Sequence, residues 1–244
     1  MTLIEKIISL GYEEKEAKSM IMAGLVLVNE ETSIVSSMKV FDNDTIRIKQ
    51  KKEWVSRGSY KLLEALNKFK INVKDQVCLD IGSSTGGFTQ VLLKDQAKKV
   101  YALDSGTNQL DYSLRNNPRV VSLERTNLKL IRAKMFEETI DFVCCDVSFI
   151  SVKYVFDVLA NDKILSSKNN VVILIKPQFE APRNLVQKGG YVDVKHHQKI
   201  IDDVIDYAQE NDFYFQQIIE SPITGNKSKN IEYLAWFIKG ENYD

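Results

Sequence analysis

Between Val77 and Tyr207 the chain repeatedly exchanges a short apolar run for a helical pattern, and this alternation restricts its fold more than any other feature. The runs are Val77–Ile81, Val100–Leu103, Val120–Leu123, Phe142–Val147 and Val171–Ile175. Helical periodicity marks Phe88–Leu93, Tyr154–Leu159 and Ile200–Tyr207, with a further stripe upstream at Leu62, Leu63, Ala65, Leu66 and Phe69. Strands that are apolar throughout must be covered on both faces, so the pattern predicts an α/β domain with a parallel sheet between helices. The end of the chain departs from it. Phe213–Ile219 and Ile231–Ile238 are strand patterns joined by SPITGNKSKN, which leaves no room for a crossover helix. An antiparallel hairpin on the same sheet is expected there.

A second pattern precedes this domain. Leu3, Ile4, Ile7 and Ile8, then Ala17, Met20 and Ile21, have helical spacing. Leu25–Val28, a polar turn at Asn29–Glu31 and the alternating Thr45–Lys49 follow as short strands. The expected organisation is a small α+β module over 1–50, a charged linker over 51–56 with an exposed Trp54, and the α/β domain over 57–244. Fewer than about 60 residues make a marginal core, so the module is expected to lean on a neighbour or partner.

The totals exclude some classes. Thirty-three basic and 33 acidic side chains cancel, so any nucleic-acid surface must be local. Cys78, Cys144 and Cys145 lie inside apolar runs without metal-site spacing, as buried thiols of a reducing compartment would. No apolar run reaches the roughly 18 to 20 residues that cross a bilayer. The expectation is a cytoplasmic protein without a metal.

The first strand of the α/β pattern opens into DIGSSTGGFT, Asp80–Thr89. A pyrophosphate cradle needs GxGxxG, or GxxxxGK followed by Ser or Thr, and this turn has neither. It places Asp80 before Gly82, a carboxylate suited to a cationic ligand; S-adenosylmethionine, with its ammonium and sulfonium, has that sign. Asp104 ends the next strand roughly 20 residues on, where an acid can accept hydrogen bonds from ribose hydroxyls. Gly82, Ser83, Gly86, Gly87 and Phe88 in the turn, Asn127 after the third strand and Asp146 near the end of the fourth complete the expected cofactor set.

The segments SRGSYKL, DIGSSTGGFT, YALDSG, LERTN, DVSFIS, IKPQFE and NIEYLAWF occur in this order. Together they resemble the TlyA family, hemolysin-annotated ribosomal RNA 2′-O-methyltransferases within the FtsJ-like group. The resemblance covers nearly the whole chain, and AGLVLVN at Ala23–Asn29 is similar to the signature of that family's N-terminal S-four RNA-binding domain. It implies a Rossmann-like class I methyltransferase sheet, S-adenosylmethionine as cofactor, RNA as partner, and a tetrad of Lys61, Asp146, Lys176 and Glu232. A ribose 2′-hydroxyl is a poor nucleophile that must lose a proton in line with the methyl carbon. Lys176, at the end of an apolar strand, is the expected general base, with Asp146 orienting it and Lys61 and Glu232 positioning the ribose. Lys39, Arg47, Lys49, Lys51, Lys52 and Arg57 are the expected RNA contacts. Glu13, Glu14 and Glu16 occupy the helix where the S-four domain presents basic residues. The Asp193–His197 segment, YVDVKHHQK in context, lacks the Arg and Pro of the family pattern, and its histidines read as helix-start residues.

Overall fold

The structure, a computed structural model, describes residues 1–49, 53–161, 164–224 and 229–240. The chain divides into two compact units, Met1–Glu53 and Trp54–Asp244. Lys51 and Lys52, two of the expected RNA contacts, lie outside the described residues.

In the first unit, helix α1 (Leu3–Ser9) begins with a capping box: Thr2 Oγ1 accepts from Glu5 N–H and Glu5 Oε2 accepts from Thr2 N–H. Helix α2 (Glu14–Met22) and α1 bury Leu3, Ile7, Ala17 and Ile21 against Val26 and Val28. Strand β1 (Val26–Val28) lies between β2 (Glu31–Thr32) and β3 (Ile46–Ile48), antiparallel to both. The sequence pattern gives no β2, because its two residues are polar and exposed. The turn makes the strand instead: Asn29 and Glu30 both have positive φ, +52° and +68°, the conformation of a two-residue hairpin loop that registers Val28 with Glu31.

The described residues of the second unit form seven strands: β4 (Val77–Ile81), β5 (Lys99–Leu103), β6 (Val120–Leu123), β7 (Ile140–Cys145), β8 (Leu165–Ile175), β9 (Phe213–Glu220) and β10 (Tyr233–Lys239). Their spatial order is β6-β5-β4-β7-β8-β10-β9. The ladders from β6 to β8 are parallel, and β10 runs antiparallel to both β8 and β9. Side chains of period two fill both faces. Leu79, Ile81, Val143, Cys145, Val171, Ile173 and Ile175 belong to the layer that includes Val155, Phe156 and Leu159 of α6 (Lys153–Asn161) and Ile201 and Val204 of α8 (His197–Glu210). Cys78, Phe142, Cys144, Val172 and Leu174 belong to the opposite layer, under α3 (Ser59–Phe69) and α4 (Gly87–Lys94). The three cysteines are wholly buried, and burial pushes each thiol up, away from the reactive thiolate.

The antiparallel hairpin has a positional consequence. Because Tyr233 pairs with Ile175, the entry of β10 lies beside the exit of β8, and Glu232 emerges where Lys176 does. Trp54 corrects the reading of an exposed linker residue: it is 8% exposed, packed in the α3/α4 layer with the Lys94 ammonium 4.1 Å from its ring centroid. Val55 N–H donates to Gln90 Oε1 at 2.7 Å, which fastens this segment to α4. Among the described residues no helix is long and apolar enough to cross a membrane.

Candidate active site

The site grows from the point where the strand order reverses. The chain leaves β4 for β5 and β6, then returns to β7 on the other side of β4, so a crevice opens at the carboxyl ends of these strands. Gly82 turns out of β4 with φ +82°, and a Cβ there would stand 2.5 Å from Asp146 O. Only glycine lets the β4 turn approach the end of β7 so closely. Gly87 does the same between helices: its hypothetical Cβ would meet Ser56 Oγ at 2.3 Å, and its carbonyl accepts from Ser59 Oγ at 3.0 Å. That contact joins the first turns of α3 and α4 and brings Lys61 to the crevice.

Asp80 is wholly buried. Its Oδ2 accepts from Thr89 Oγ1 at 2.7 Å, while Oδ1 has no partner among the described residues. Desolvation pushes this carboxyl up to about 7; the Thr89 hydrogen bonds oppose the shift, and the charges of Asp146 and Asp104 add to it.

Four side chains from four elements meet beside it. Lys176 Nζ lies 2.6 Å from Asp146 Oδ1 and donates to Ser148 Oγ at 2.8 Å. Lys61 Nζ lies 2.7 Å from Glu232 Oε2 and 3.5 Å from Asp146 Oδ2. The result is a continuous chain, Lys176–Asp146–Lys61–Glu232, with Lys176 and Glu232 only 7% and 4% exposed. Isolated charges at such depth would be prohibitively desolvated, and alternating signs make the arrangement tenable.

A cavity of about 580 Å³ connects these groups, bordered by Arg57, Asp80, Gly82, Ser83, Gly87, Phe88 and all four members of the tetrad. Three expected cofactor residues lie off it. Gly86, with φ +93°, packs under Leu114 and Leu110, whose methyls a Cβ would strike at 2.3 and 2.7 Å. Asp104 sits at the end of β5, where its carboxylate accepts from Ser84 N–H at 2.8 Å and Gly106 N–H at 2.7 Å. Asn127 caps a short turn through Lys129 N–H. Of the expected RNA contacts in the first unit, Lys39 is exposed, Arg47 is engaged by Glu30 at 2.5 Å, and Lys49 donates to Thr32 Oγ1. His197 is a buried structural residue, its ring nitrogens 2.9 Å from Tyr233 Oη and 3.1 Å from Val192 O. Asp193 caps the turn before it.

Sequence reasoning missed three polar residues. Ser148 anchors the Lys176 amine. Glu180, in α7 (Pro177–Glu180), accepts from Ser151 Oγ and Val152 N–H at 2.5 and 2.8 Å, tying the segment after Lys176 to the segment after Asp146. Burial pushes the Glu180 carboxyl up, against those two bonds. Asn230, 1% exposed, bonds Gly190 and Gln178. DVSFIS and IKPQFE contain two of these residues, but nothing in the spacing of either segment says that the two touch. Phe149 also borders the cavity, 88% exposed at φ +67°, with its ring 5.2 Å from that of Phe179.

The FtsJ-like methyltransferase pattern matches residues 54–239, the whole sheet with its site. The chain belongs to the FtsJ-like methyltransferase family. Hemolysin A of Brachyspira hyodysenteriae is 45% identical over 242 residues, spanning 98% of this chain and 100% of that protein. The 16S/23S rRNA (cytidine-2′-O)-methyltransferase TlyA of Mycobacterium tuberculosis is 38% identical over 230 residues, spanning 93% and 85%. A solved structure of a hemolysin-named protein from Streptococcus thermophilus superposes with a TM-score of 0.74 at 40% identity, covering 95% of this chain and 84% of that one. The family resemblance read from the seven motifs therefore holds, and so does the Rossmann-like sheet it implied.

Proposed function

We propose that this FtsJ-like chain transfers a methyl group from S-adenosylmethionine to the ribose 2′-hydroxyl of a cytidine in ribosomal RNA, in the cytoplasm. The observation that carries the proposal is the buried Lys176–Asp146–Lys61–Glu232 chain beside a cavity that also contains an unpartnered, buried carboxylate oxygen. The naming of the mycobacterial relative supports the acceptor.

The fit to the cofactor rests on Asp80 Oδ1, a buried acceptor without a donor among the described residues. An ammonium would satisfy it. Gly82, Ser83, Gly87 and Phe88 would border the bound molecule, and Asp104 retains lone pairs for ribose hydroxyls at the neighbouring strand end. The cofactor supplies a methyl carbon made electrophilic by its sulfonium. The chain's own part is to hold the acceptor and move a proton. Held by Asp146 and Ser148, the Lys176 amine takes the proton of the 2′-hydroxyl. Once protonated, it rests against the Asp146 carboxylate. Lys61, held by Glu232, positions the ribose oxygens. Residues 1–50 are assigned as an S-four-like RNA-binding domain, with Lys39, Lys49 and Arg57 among its and the catalytic domain's phosphate contacts.

The deciding experiment incubates the protein with labelled S-adenosylmethionine and purified ribosomal subunits, then maps 2′-O-methyl groups by mass spectrometry. Methylation of a cytidine ribose is expected; a protein that binds the cofactor and labels no ribosomal RNA would contradict the acceptor.

Asp80 adds a pH prediction. In the ligand-free protein this carboxyl holds its proton to about pH 7, whereas the unfolded chain releases it near 3.8. Asp80 therefore subtracts stability as pH rises from about 4 to about 7. A cation against Oδ1 requires the carboxylate, so binding below pH 7 must expel a proton. Affinity for S-adenosylmethionine is expected to weaken as pH falls from 7 toward 4, approaching tenfold per pH unit. Titration calorimetry across that range should show the slope, and Asp80→Asn should flatten it.

A further inference from the structure

Val192 N–H donates to Asn230 Oδ1 at 3.0 Å, and this contact fixes which way Asn230 faces. Its Nδ2 must then be the donor at the other end, as it is toward Gly190 O at 2.7 Å and Gln178 Oε1 at 2.9 Å. At 1% exposure Asn230 has almost no contact with solvent. The constraint passes on to Gln178. An amide whose carbonyl oxygen is held by Asn230 turns its NH2 group the other way. Gln178 is half-buried and borders the cavity, and its Nε2 has no hydrogen-bond partner among the described residues. A residue at the border of the cavity thus keeps an unused donor.

The place of Gln178 along the sheet indicates what it meets. Asp80 and Gly82 lie at the end of β4, the side assigned to the cofactor. Gln178 follows β8 in α7, at the same strand end as Lys176 and one strand beyond Asp146, away from β4. A ligand there approaches the tetrad from the acceptor side.

We propose that Gln178 is a specificity-determining residue that donates from Nε2 to the acceptor edge, N3 and O2, of the target cytosine; this rests on the RNA methyltransferase reading given above. Uracil carries a donor at N3 where cytosine has an acceptor. To satisfy uracil, Gln178 would have to turn its NH2 toward Asn230 Nδ2, setting two donors face to face. Asn230 thus holds the discriminating orientation, and Gln178 makes the contact.

The test compares the full-length wild type with Gln178→Leu and Gln178→Glu on ribosomal subunits in which the mapped target nucleotide is either cytidine or uridine, by single-turnover methylation. The wild type should favour cytidine by about tenfold or more. Gln178→Leu should slow the cytidine reaction on the order of tenfold, leave the uridine reaction nearly unchanged and so abolish the preference. Gln178→Glu, which offers acceptors to an acceptor edge, should be slower still on cytidine. Calorimetric affinity for S-adenosylmethionine should stay within about twofold in both variants. A preserved cytidine preference in Gln178→Leu would overturn the proposal, as would an equal loss on both nucleotides or a loss of cofactor affinity. A wild type that binds cofactor and labels no ribosomal RNA would instead remove the underlying reading, before any variant is compared.

Discussion

Lys176→Ala should lower turnover roughly 100- to 10,000-fold while leaving affinity for S-adenosylmethionine nearly unchanged. The expectation follows from where Lys176 sits. Its Nζ is 2.6 Å from Asp146 and 2.8 Å from Ser148, at the end of β8, whereas the unpartnered oxygen that fits the cofactor's ammonium belongs to Asp80 at β4. Removing the amine takes away the proposed proton acceptor, and Lys61 still neutralises Asp146 from 3.5 Å. Lys176→Arg sharpens the result. A guanidinium keeps the positive charge but does not give up its proton, so it can pair with Asp146 and cannot act as a base. Both variants should be comparably inactive if Lys176 moves a proton. Substantial activity in the Arg variant, measured by single-turnover methylation, would reduce its role to charge alone.

The elements of this fold that build a core were legible because burial writes a pattern into sequence. β4, β6, β10 and the Val171–Ile175 half of β8 are apolar along most of their length, and their order with α4, α6 and α8 left little choice but an α/β sheet with a terminal hairpin; the polar first half of β8, from Leu165 to Asn170, left no such mark. β2 was illegible because it is two exposed polar residues held in place by the turn before them. Trp54 misled for the opposite reason: charged neighbours suggested solvent, but the indole packs inward and a lysine stem from α4 covers its face. The tetrad was nameable only through the family motifs. Lys61 and Glu232 are 171 positions apart, and no local pattern says that the start of β10 faces the first turn of α3. Gln178, Glu180 and Asn230 were harder still, since their significance lies in which atom donates to which, and that exists only after folding.

Gly82→Ala should be the most damaging single-methyl change in the site. Two costs combine there. An L-residue at φ +82° is strained by roughly 1–2 kcal/mol, and the new Cβ would stand 2.5 Å from a backbone carbonyl, Asp146 O, which cannot rotate aside as a side chain would. Gly189→Ala separates the two: it also has positive φ, +81°, but no atom of the described residues lies within 4 Å of its Cβ position, so only the strain remains. Thermal unfolding should place Gly82→Ala several degrees below Gly189→Ala, since about 1 kcal/mol moves the midpoint of a domain this size by roughly 2–4 °C. The functional loss should exceed the loss of stability. Relief of the clash must push the β4 turn away from the end of β7, and Asp146 is the link that holds Lys176 and Lys61 together. At a temperature where the variant is fully folded, turnover and affinity for S-adenosylmethionine should both fall by at least tenfold, because one displacement separates the Asp80 side of the cavity from the tetrad side. A folded Gly82→Ala protein with wild-type turnover would mean that the close approach of β4 to β7 is incidental to catalysis.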